Sequence, residues 1–80
     1  MRLNLQPAQL ASGNADTEAQ LEFVNDGLIA VLVHLSEDHD DEAGMWFLET
    51  WFGPTYKSNQ PTFAKLNEAQ DWIVGQCAKV

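Results

Sequence analysis

Five carboxylates and one imidazole fill six consecutive positions, Glu37-Asp38-His39-Asp40-Asp41-Glu42. Oxygen donors packed this densely could hold a hard cation, share protons in acid–base catalysis, or display negative charge to a partner. The first option fails on register. Counting an EF-hand type of loop from Asp38 puts Asp40 and Glu42 at donor places, but Ala43 falls at the sixth place where glycine is needed. The twelfth place falls on Glu49, inside an apolar run. Zinc through His39 and its neighbouring carboxylates would lack a second His or Cys within the stretch. No metal and no cofactor are expected.

Catalysis is no better supported. The acids of this stretch read as solvated, with nothing to shelter a carboxyl and shift its pKa. His34 shares an apolar run with Ala30 and Leu32 and reads as a packed histidine. Cys77, the one cysteine, lies on the apolar side of a helical pattern and reads as core. Ser36, Ser58 and the threonines have no nucleophile-elbow setting, and no glycine-rich phosphate loop is present. No catalytic residue is assigned, and an enzyme is not expected. What remains is charge display, with Glu37, Asp38, Asp40, Asp41 and Glu42 as the candidate partner-binding residues.

The elements that must carry this stretch can be read from patterning. Apolar runs flank it, Leu28–Leu35 before and Met45–Phe52 after, so it reads as the tip of a β-hairpin. Ala19–Val24 alternates, with Leu21 and Phe23 on one side and Gln20 and Glu22 on the other. Asn25-Asp26-Gly27 then supplies residues that tolerate positive φ, which predicts a tight antiparallel hairpin into Leu28–Leu35. A helix starting at Asp16 is the rival reading of that region. Arg2–Gln6 alternates as a short edge strand ending at Pro7, and Pro7–Thr17 reads as a loop or one helical turn. Gly53-Pro54 ends the strand after the acidic stretch. Thr55–Gln60 reads as a surface loop, and Pro61–Lys65 as a short strand or a lead into the last element. That element is a helix over Asn67–Lys79, with Asn67 as N-cap, Gln70 completing a capping box, and Ala69, Trp72, Ile73, Cys77 and Val80 forming one apolar stripe.

Both faces of the two central strands are apolar, yet only one helix is available to cover them. The N-terminal twenty residues can cover part of the second face. The rest calls for a second subunit, a partner or curling of the sheet, and a homodimer through the sheet is expected. Trp46 and Trp51 lie five positions apart, so strict alternation sends them to opposite faces and makes one a contact anchor.

The chain has 80 residues with a net charge of −8, and 45% of it is hydrophobic, which argues for one folded domain spanning 1–80. Between Arg2 and Lys57 there is no Lys or Arg, while ten of the twelve acids lie there. Direct nucleic-acid binding and docking on an anionic membrane are therefore not expected, and the complementary partner is a basic protein surface. A lone cysteine cannot form an internal disulfide, and no apolar run reaches the ~18 residues of a membrane span, so a soluble cytoplasmic protein is expected. A carboxylate in extended chain recurs about every 3.3 Å, close to the ~3.4 Å phosphate spacing of a DNA strand, so the stretch could act as an electrostatic decoy.

In size, charge placement and a sheet-plus-one-helix layout, the chain resembles the small phage-encoded anti-CRISPR proteins. That group shares no common motif, and no site residue is carried over from it. The resemblance implies a non-catalytic inhibitor in the host cytoplasm whose acids meet Lys and Arg of a CRISPR effector subunit and block DNA binding. The alternative is a small structural or interaction subunit that binds through its apolar sheet face, with the acids only solubilising. The fold expected is α+β, an antiparallel sheet of three to four strands with one C-terminal helix packed on one face.

Overall fold

In the computed structural model, which describes residues 1–11, 13–54 and 61–78, the turn-forming residues organise a meander. Strands β1 (Leu3–Gln9), β2 (Glu18–Val24), β3 (Gly27–His34), β4 (Trp46–Trp51) and β5 (Thr62–Phe63) form one antiparallel sheet in the order β1-β2-β3-β4-β5. The helix α1 (Leu66–Cys77) packs on one face. The architecture is α+β as expected, but the sheet has five strands, not three to four. Asn25 (φ 50°) and Asp26 (φ 72°) both take left-handed backbone and form the β2–β3 turn, which excludes the rival helix from Asp16.

Two boundaries differ for identifiable reasons. Strand β1 continues through Pro7 to Gln9 because it is an edge strand, where a residue lacking an N–H can face outward. Helix α1 starts at Leu66, with extended Lys65 as its N-cap and no side-chain cap bond, so the Asn67–Gln70 capping box does not form. Leu66 packs against the core, and that burial outweighs the ~1 kcal/mol a capping side chain would add. Lys79, Val80 and Thr55–Gln60, where a surface loop is expected, lie outside the described residues.

Bulges set which side chains meet the helix. Glu22 pairs with Ala30 but Phe23 with Leu28, leaving Ile29 as an extra residue; Ile29, not Leu28, then packs on the core. In β4, Leu32 pairs with Leu48 and Val31 with Thr50, leaving Glu49 extra. This second bulge resets the alternation, so Trp46 and Trp51 both pack against the helix-side core and the expected opposition of the two rings does not occur. Trp51 meets Trp72 edge-on at 5.0 Å, and Trp72 meets Phe63 at 5.9 Å. Gly53 passes so close under the Trp51 ring that a Cβ there would collide with it.

Ala30, Leu32, Leu48, Ala69 and Ile73 make the fully buried centre. Glu22, which the alternation places on a polar side, is also completely buried there, because that side is the one the helix covers. On the opposite face no α-helix of the described residues packs. Ala19, Val33 and Leu35 are buried nonetheless, Leu21, Phe23, Val31 and Phe47 are half-buried, and Leu28 and Phe52 are exposed.

Candidate interaction site

The acidic stretch is not an extended tip. Glu37–Glu42 folds into two short 3₁₀ turns joined at Asp40, whose φ of 50° and ψ of −109° break the helical path. Ser36 starts it, with its hydroxyl accepting from the Asp38 N–H at 3.4 Å. The end is closed by the Ala43 N–H donating to Asp40 and the Gly44 N–H donating to Leu35, with Gly44 at φ 83°.

Asp16, from the β1–β2 connection, fixes the turn from outside. Its Oδ1 accepts from the Ser36 backbone N–H at 2.9 Å, and its Oδ2 meets His39 Nε2 at 2.6 Å. The hydrogen bonds from His39 and Ser36 pull the Asp16 carboxyl down to about 2. The same contact, reinforced by Glu42 and Asp38, holds the His39 imidazole above its ordinary value. When protonated, His39 balances part of the cluster's charge. Asp16 stands between Ser36 and His39, so the hydroxyl–imidazole–carboxylate order of a nucleophilic triad is not formed.

His34 is held as a structural residue. Its ring stacks on Trp46 at 4.5 Å, with Nδ1 3.1 Å from Glu18 Oε1 and Nε2 3.1 Å from the Gly44 carbonyl oxygen. Glu37, Asp38, Asp40, Asp41 and Glu42 are all exposed. Among the described residues, no ion pair joins any of the five to a Lys or Arg, and Arg2 pairs instead with Asp26 beside the β2–β3 turn. No group of His, Cys, Asp and Glu among the described residues has metal-site geometry. No helix of the described residues is long and apolar enough to cross a membrane.

Beside this turn, on the helix-free face, lies a cleft of about 490 Å³. Leu10, Val33, Leu35 and Phe47 give it apolar walls, and Asp16, His39 and Glu49 supply charge. None of these is among the partner-binding residues expected from the sequence. Asp16 and His39 are far apart in the chain, and only the β1–β2 connection lapping over the sheet brings them together.

No family model, curated protein or solved structure matches this chain.

Proposed function

We propose that this protein is a non-catalytic acidic inhibitor that occupies the basic, nucleic-acid-handling surface of another protein. The supporting observation is the exposed carboxylate turn, with its backbone held in place by Asp16. Its compaction raises the charge density above what extended chain offers. A 3₁₀ path rises about 2.0 Å per residue, so five carboxylates over six residues fall roughly every 2.4 Å of path. That lies between the ~3.4 Å per phosphate of one DNA strand and the ~1.7 Å per charge of the duplex axis. Lys and Arg arranged to grip a phosphate backbone meet a comparable field here, and association would be fast and salt-sensitive.

The resemblance to anti-CRISPR proteins makes a CRISPR effector complex in a host cytoplasm the first target to test. Purified effector complexes, mixed with labelled DNA and this protein, should lose DNA binding as read by fluorescence anisotropy. The D38K/D40K/D41K variant should lose about tenfold or more in inhibitory potency. Inhibition unchanged in that variant, or unchanged at about 0.5 M salt where charges are screened within a few ångströms, would rule out the electrostatic reading.

One observation favours a second reading. The helix-free face leaves Leu28 and Phe52 exposed beside half-buried Leu21, Phe23, Val31 and Phe47. If that face alone does the binding, the protein is an interaction subunit whose acids only solubilise it, and turn variants stay active.

A further inference from the structure

We propose that helix α1 is a releasable cover, which lifts off the sheet while β1–β4 stay paired, and that the buried carboxyl of Glu22 beneath it is the trigger.

Glu22 lies within β2, opposite Leu5 of β1 and Ala30 of β3, on the face that α1 covers. It has no exposed surface, and neither carboxylate oxygen has a partner with hydrogen-bond geometry. From α1, the Gln70 side chain is the group that approaches it. No cation among the described residues is placed to compensate a charge there. Strands β1 and β5 carry no charged side chain. Glu18, at the start of β2, pairs with His34 of β3. Glu49 on β4, Lys65 before α1, and Glu68 and Asp71 on α1 are exposed. A neutral carboxyl tolerates such a site far better than a carboxylate does, and the carboxylate regains water when the cover leaves. Burial accordingly raises the Glu22 pKa.

The cover is built to leave alone. It joins the sheet through β5, an edge strand of two residues, and the exposed pair Ala64-Lys65. Its first turn has no side-chain cap. Its grip is apolar, through buried Ala69 and Ile73 with Leu66, Trp72 and Cys77 half-buried beside them. The β1–β4 ladders run between consecutive strands and do not pass through α1. Ala19, Val33 and Leu35 also stay buried on the opposite face. The pieces of a fold that open at least cost are those with few such ties. A 12-residue helix is marginal on its own, so α1 unwinds once released and its amides exchange with solvent. The docked state holds the Glu22 proton more tightly than the open state. Opening is therefore rarest below about pH 4.5 and grows as pH rises through the higher docked value.

Native-state amide hydrogen exchange, followed by NMR on the full chain between pH 4 and 7 and corrected for intrinsic rates, reads this directly. The α1 amides should open about tenfold or more often than those of the β2–β3 ladder at pH 7. Their opening constant should rise about threefold or more from pH 4 to pH 7. That rise should vanish in Glu22→Gln and persist in His39→Ala, which removes the other group whose pKa is raised. In the unaltered chain, equal opening of α1 and ladder amides at every pH would overturn the proposal, as would α1 opening that stays flat with pH. A rise that survives in Glu22→Gln, or disappears in His39→Ala, would overturn Glu22 as the trigger.

Discussion

Glu22 has no exposed surface, and no donor reaches either carboxylate oxygen with hydrogen-bond geometry. Burial pushes its pKa up, and the neighbouring Gln70 side chain and the backbone at Asn4 and Phe23 offset this only in part. A buried polar group without a full set of partners costs on the order of 1–3 kcal/mol. Because the folded state holds this proton more tightly than the unfolded chain, ionisation costs stability as pH rises from about 4.5 toward the raised folded value. Glu22→Gln keeps the shape and removes the ionisation. We expect it to raise stability by about 1 kcal/mol at pH 7 and by little at pH 3, measured by urea denaturation. Equal effects at both pH values would show that folding does not raise the Glu22 pKa. The sequence placed Glu22 on the polar side of β2 correctly, but alternation carries no information about which side the helix will choose.

The contact between the β1–β2 connection and the acidic turn is made by Asp16, through Ser36 and His39. His39 titrates above its usual 6.5, so its contribution is complete below that value and is lost as pH rises through the higher folded value. Asp16 is depressed to about 2, so its contribution is present above the usual 3.8 and lost only as pH falls toward 2. The turn is therefore held best between about pH 4 and 6.5. Thermal melts should show a higher midpoint at pH 5.5 than at pH 8.5, and His39→Ala should flatten that difference. An NMR titration placing the His39 imidazole at or below 6.5 would contradict the pairing. The elements on either side were legible to different degrees. Asn25-Asp26-Gly27 announced its hairpin because its residue types match the positive φ the turn imposes. The helix stripe announced α1 through Ala69 and Ile73, which are buried as the spacing requires. The bulges at Ile29 and Glu49 left no mark, because a period-two pattern assumes the regular ladder that a bulge interrupts. That assumption misplaced one of the two tryptophans, Trp46 and Trp51.

At the scale of the whole molecule, charge and apolar surface pull in opposite directions. The helix-free face invites a second copy, but each chain brings a net charge of −8. Any homodimer through that face should therefore strengthen with salt, as repulsion is screened and apolar burial is not. Light scattering should show the mass rising above 8.9 kDa between low and ~1 M sodium chloride. A single-chain mass at both salts would remove the dimer and leave the face to a different partner. The meander has a consequence of another kind, which concerns time. Every strand pairs with its immediate predecessor in sequence, so assembly needs no long-range search. A hairpin closes in about 1–10 μs, while a ribosome adds only about 5–20 residues each second. Pairing can thus keep pace with synthesis, strand by strand, and the docking of α1 is left as the closing step.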